Sequence, residues 1–272
     1  MSRPLPAWSL PGEAAAAATI QRVWPEPVTR EWAIGDSTGE GVSVCVVDSG
    51  VDGTHPLVAP LASAVAVERR EDELVVEPDE TGDVVGHGTA CAGIVRAVAP
   101  GAELHSVRVL GAGAKGSGDV MLAGLRHAVE QEYKVINLSF STTKRQLAEV
   151  LHELADAAYF GGSILVASAH NMPVESYPWR FASVISVGSH DEGKPLLWYA
   201  NPNPPVEFFG RGVDVDIAWP GGGTMRATGN SFAAPHIAGI CALVLGAHPE
   251  LTPFQLKSVL FLTATNVAGA AS

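Results

Sequence analysis

The chain has 272 residues, 47 % of them apolar and 17 % charged, with 29 glycines and a formal net charge of -12. That length and composition exclude a disordered chain and suit one folded domain with a large core. A strongly negative surface repels other polyanions, so nucleic acid and anionic membrane are excluded as partners and a neutral or cationic substrate is expected.

The longest apolar stretch, residues 237–247, has the length of a core helix, so no membrane span is expected. Near the N-terminus, Arg3 and the alanine run at 14–18 are interrupted by prolines and Glu13, so no signal peptide is expected. Cys45, Cys91 and Cys241 cannot all pair within one chain, and their spacing makes no metal-ligand cluster. Each is read as a small buried hydrophobe, and a reduced, cytoplasmic setting with no metal or cofactor follows as the expectation.

Five prolines without a sustained period mark residues 1–38 as an extended N-terminal arm, with the folded domain over 39–272. The β-branched run at 42–47 predicts a buried parallel strand that opens into a loop at Asp48-Ser49-Gly50. Residues 61–83 mix short apolar pieces with charge, which predicts a solvated hairpin or excursion at the sheet edge. Gly86-His87-Gly88-Thr89 then enters a small-residue stretch at 90–99 that Pro100-Gly101 ends, placing His87 at a helix start. A strand at 104–110, a glycine-rich loop at 111–118 and a helix at 120–132 follow. Next come a strand at 135–140, a helix at 144–159 and strands at 163–168 and 184–188. The alternation predicts an α/β fold of three layers, a mostly parallel sheet covered by helices on both faces. Residues 232–248 are almost wholly apolar and predict a helix buried on all sides.

A serine hydroxyl becomes a useful nucleophile only beside a base, the base needs an orienting carboxylate, and the oxyanion formed needs fixed donors. Four positions supply those roles. Asp48 ends a buried strand, His87 opens a helix between two glycines, and Ser231 stands at the positive end of the apolar helix. Asn171 follows the strand at 163–168 and offers a side-chain amide. Each residue alone has a plainer reading as a loop cap, a structural histidine or a helix N-cap. Their joint occurrence points to chemistry.

Val46-Val47-Asp48-Ser49-Gly50-Val51-Asp52 with Thr54-His55-Pro56, Gly86-His87-Gly88-Thr89, and Asn230-Ser231-Phe232-Ala233-Ala234-Pro235-His236 resemble the three motifs of the subtilisin family of serine peptidases, in the family's order. The resemblance covers about residues 40–266 and implies a subtilisin-like fold and a serine endopeptidase acting on a peptide or protein substrate. It implies Asp48, His87 and Ser231 as the triad and Asn171 as an oxyanion donor. It also implies that Gly116-Ser117-Gly118 and Ser139-Phe140-Ser141 are two edge strands that pair with an extended substrate. Asn230 stands where the family usually has Thr, His170 and Ser141 where it usually has Gly, and Trp179 where a small residue is common near the floor of the primary pocket. Ser141 and Trp179 therefore predict a shallow or altered pocket, while His170 is read first as a plain loop histidine and otherwise as a residue that narrows the site or adds a polar group. Asp52 resembles a calcium ligand whose loop partners are missing here, so no calcium is expected at it. Cys91 matches a cysteine of proteinase-K-like relatives, which implies sensitivity to bulky thiol reagents.

Two other readings compete. Gly111-Ala112-Gly113-Ala114-Lys115-Gly116 is a GxGxxG between a strand and a helix, with Glu130 and Glu132 beyond it, as in a nucleotide-binding enzyme. The altered residues around the groove also suit a catalytically silent, peptide-binding member of the family.

Overall fold

The structure is a computed structural model that describes residues 9, 11–17, 24–111, 113 and 116–268. Its centre is a nine-stranded sheet in the order β3-β2-β4-β1-β5-β6-β7-β9-β8. The inner strands β1 (Ser43–Asp48), β4 (Glu103–Arg108), β5 (Val135–Leu138), β6 (Ile164–Ser168) and β7 (Ile185–His190) are all parallel. At one edge β2 (Ser63–Arg70) runs parallel to β4 and folds back antiparallel into β3 (Glu73–Pro78), the expected hairpin. At the other edge β9 (Phe208–Arg211) runs parallel to β7, and β8 (Tyr199–Ala200) closes antiparallel on it.

The strand residues divide between two cores. Along β1, Val44 and Val46 join the core beneath α3 (His87–Val98) and α6 (Asn230–Ala247). Cys45 and Val47 point to the other face, toward α4 (Gly118–Glu130) and α5 (Ala148–Phe160). This alternation is what a parallel strand between two helical layers requires, and it produces the expected three layers.

By length and composition α6 could cross a membrane, yet 78 % of that stretch is buried inside the protein, as its all-round apolar pattern predicts. A separate hairpin, β10 (Val215–Trp219) and β11 (Gly223–Ala227), packs on α3 through Val215 and Ile217. The last helix, α7 (Pro253–Leu262), opens on a capping box of Thr252 and Gln255. Its Lys257 Nζ donates to the carbonyls of Ala182 (2.7 Å) and Val184 (3.0 Å) and pairs with Glu207 (2.8 Å).

Two short helices precede the domain, α1 (Gly12–Ala17) and α2 (Arg30–Ala33). Within the segment read as an extended arm, residues 24–38 lie against the domain. Val28 and Ala33 enter the main core, Arg30 donates to Thr263 O (2.8 Å), and Trp32 stacks on His248 at 4.0 Å. Most of the remaining arm lies outside the described residues.

Candidate active site

Strand β1 delivers Asp48 to its carboxyl end, fully buried, with Ser49 N–H donating to Oδ1 at 2.8 Å. Chain connection reverses around this strand, since β4 lies on one side of β1 and β5 on the other. Such a switch point leaves a crevice beyond the strand ends. The loop before α3 is organised by Asp83. Its Oδ1 accepts from Val85 N (2.9 Å), Gly86 N (2.7 Å) and Ser49 Oγ (2.8 Å), and its Oδ2 from Thr89 N (2.8 Å) and Thr89 Oγ1 (2.6 Å). One carboxylate thus satisfies donors at the start of α3 and ties them to the residue after Asp48. Gly88 has no room for a side chain, because an added Cβ would overlap Gly50 O. The first turn of α3 therefore seats directly on the Asp48 loop.

This seating brings His87 Nδ1 to 2.9 Å from both oxygens of Asp48. Burial works to lower the pKa of His87, but the Asp48 carboxylate, with a smaller contribution from Cys91, raises it above the ordinary histidine value. An imidazole that shares a proton with a buried carboxylate is oriented and able to carry positive charge.

Ser231 lies in the first turn of α6, partly exposed, and Phe232 beside it packs its ring 5.4 Å from that of His87. Pro235 has no N–H, so it leaves the carbonyl of Ser231 without its helical donor. Cys91 Sγ takes that place at 3.7 Å and also lies 3.9 Å from His87 Nδ1. Buried completely, the Cys91 thiol has its pKa pushed up by desolvation, which leaves it a poor nucleophile. No hydrogen bond joins His87 to Ser231 among the described residues, and such contacts are commonly long in sites without substrate. Asp48, His87 and Cys91 also have metal-ligand spacing, with ligand atoms within 4.8 Å of one another. A cation there would compete for the Nδ1 that faces Asp48.

Asn171 lies beyond the end of β6, where its Oδ1 accepts from the backbone N–H of Asn230, the residue before Ser231. A Cβ built on Gly229 would stand 3.2 Å from Ser231 Oγ and 3.6 Å from Asn171 Nδ2. Gly229 thereby leaves open the space onto which the hydroxyl and the amide both face. The structure brings all four expected residues to one crevice.

The substrate-contact expectations fare unevenly. Gly116 and Ser117 are exposed and Ser117 is extended, but Gly118 is the first residue of α4 and not part of an edge strand. The reason is packing: a Cβ on Gly118 would lie 2.5 Å from Leu147, so the glycine admits close helix contact. Ser139 is buried and its Oγ accepts from Asn137, while Phe140 and Ser141 are half-exposed beyond β5. His170 Nδ1 accepts from Met172 N at 3.0 Å, which makes it a turn-forming residue. Trp179 is only 8 % exposed, donates to Ser176 Oγ at 2.8 Å and lines a cavity of about 440 Å³ with Ala169, His170, Met172 and Asn230. Phe140 and Ser141 stand outside that cavity. In the GxGxxG loop, the space beside Gly116 is filled by Val109 O and Leu110 at 2.8 and 2.9 Å, and α4 starts two residues later. Loop packing accounts for that glycine; Ala112, Ala114 and Lys115 lie outside the described residues.

Comparison with known proteins gives a family model, the subtilase family Peptidase_S8, that matches residues 39–272. The chain belongs to the subtilase family. It is 33 % identical to Subtilisin Savinase of Lederbergia lenta over 241 residues, which is 85 % of this chain and 86 % of that protein. Identity to Subtilisin DY of Bacillus licheniformis is 30 % over 244 residues, covering 84 % of this chain and 85 % of the relative. Among solved structures, a cold adapted subtilisin-like serine proteinase superposes with a TM-score of 0.70 at 27 % identity, covering 87 % of this chain and 89 % of that one. Membership makes this subtilase a serine-type endopeptidase with a protein or peptide substrate.

Sequence reasoning did not single out Asp83, Gly229 or the clamping contacts of Asn230. A carboxylate four residues before the histidine, at a helix start, was the available signal for Asp83.

Proposed function

We propose that the chain hydrolyses peptide bonds through an acyl-enzyme formed on Ser231. His87 removes the Ser231 proton and later protonates the leaving amine, and Asp48 holds the imidazole and stabilises its charged form. Asn171 Nδ2 and the Ser231 backbone N–H receive the oxyanion, and losing such a side-chain donor costs about 100- to 1,000-fold in kcat, a magnitude known from subtilisin itself. The observation that carries the reading is the placement of His87 Nδ1 2.9 Å from both oxygens of a fully buried carboxylate, with the His87 ring 5.4 Å from that of Phe232, the residue after Ser231. Gly116, Ser117 and residues 139–141 serve as backbone partners for an extended substrate, and His170 and Trp179 shape the ground beside them. Three buried free thiols support action in a reducing compartment, inside the cell.

The deciding experiment digests a mixed peptide library with the wild type and with Ser231→Ala, read by mass spectrometry, alongside fluorophosphonate labelling. Cleavage and labelling by the wild type alone are expected. Absence of both in the wild type would overturn the reading in favour of a peptide-binding protein without catalysis.

A further inference from the structure

Asn230, immediately before the nucleophile, makes four polar contacts that converge on the oxyanion side. Its backbone N–H donates to Asn171 Oδ1 at 2.9 Å. Its side-chain Oδ1 accepts from Ser189 Oγ at 2.8 Å, and its Nδ2 donates to the carbonyls of Ala169 (3.2 Å) and His170 (3.5 Å). The side chain therefore joins the first turn of α6 to the carboxyl ends of β6 and β7.

We infer that Asn230 is a positioning residue that sets the polarity of the Asn171 amide. A carboxamide is nearly symmetric in shape, so an unrestrained Asn171 could present either Nδ2 or Oδ1 to the reacting carbonyl. Only Nδ2 stabilises a developing oxyanion; Oδ1 would repel it. The Asn230 N–H removes the ambiguity, because a donor aimed at one end of the amide must meet the oxygen, and Nδ2 is then turned toward Gly229 and Ser231. The N–H belongs to the first helical turn, whose donors have no acceptor within the helix. Its direction is consequently free to be set by the side-chain tethers to Ser189, Ala169 and His170. Preorganisation of this kind removes the reorientation that the amide would otherwise undergo during the reaction.

This inference rests on the reading of Asn171 as the oxyanion donor, and the test separates the two. Kinetic constants are measured for the wild type, Asn230→Ala, Asn171→Ala, the double variant, and Ser189→Ala, together with inhibition by a peptide aldehyde whose adduct places oxygen in the hole. Because Asn230 lines the 440 Å³ cavity, its truncation has space to relax. Asn230→Ala is expected to lower kcat about 10- to 100-fold, less than full donor loss, with KM changed by no more than about twofold. Aldehyde affinity should fall by the same factor as kcat/KM, and the double variant should be no slower than Asn171→Ala alone. Ser189→Ala, which removes one tether away from the nucleophile, should show a smaller loss of the same kind. A double variant whose losses multiply, or a rise in KM at constant kcat, would overturn the role of Asn230. Wild-type kcat in Asn171→Ala would instead overturn the oxyanion assignment, and with it this inference.

Discussion

Asp83 is the residue through which the aspartate and histidine segments hold each other. Five donors from Ser49, Val85, Gly86 and Thr89 converge on its two oxygens. Asp83→Ala should cost roughly 2 kcal/mol of stability, as loss of a strong helix cap does. By loosening the His87 turn it should also lower kcat by up to about 100-fold; chemical denaturation and steady-state kinetics check the two parts. His236 carries a different liability. Burial in α6 depresses its pKa from 6.5 to about 4, against the bond that its Nδ1 donates to Phe232 O, which works to raise it. An unfolded chain takes up that proton near 6.5, so the stability from the neutral form is full above that value and drains away as pH falls toward 4. The loss amounts to roughly 3 kcal/mol, and urea unfolding at pH 7 and pH 4.5 should show it in the wild type and a flatter dependence in His236→Gln. The family motifs around Asp48, His87 and Ser231 were legible because each is a run of several diagnostic neighbours. Asp83 and the contacts of Asn230 were not, since both act through hydrogen bonds to backbone groups distant in sequence, which no local pattern encodes.

The central strands and long helices were equally legible, because apolar runs bounded by turn residues leave few alternatives. Strands β8 to β11 escaped because they are short and lie in a segment rich in proline and glycine. The start of α7 was missed as well, although its Thr252-Pro253-Phe254-Gln255 capping box is a local signal. This helix is pinned to the sheet by Lys257, whose ammonium meets two carbonyl oxygens and one carboxylate where the chain enters β7 and β9. Lys257→Met would remove the ammonium from those carbonyls and leave Glu207 with the Ser186 N–H. An expected loss of roughly 2 kcal/mol, or about 4–8 °C in Tm for a domain of this size, is measurable by calorimetry. Gly118 shows the limit of carrying a family's pattern over residue by residue: the resemblance implied an edge strand there, whereas Gly118 packs closely on Leu147 as the first residue of a helix.

At the scale of the whole molecule, the three-layer architecture and its parallel sheet followed from the alternation of strand and helix patterns. The crevice is a product of the strand order, which no single segment reveals: β1 and α3 supply Asp48 and His87, while α6 supplies Ser231 more than a hundred residues later. That separation has a temporal side. During synthesis Asp48 and His87 leave the ribosome long before Ser231. Ser231 can meet them only when α6 has been enclosed between the sheet and α3, an event that requires most of the domain to be in place. Under the proposed mechanism the emerging polypeptide therefore carries no working peptidase, and activity waits until the fold has closed around α6.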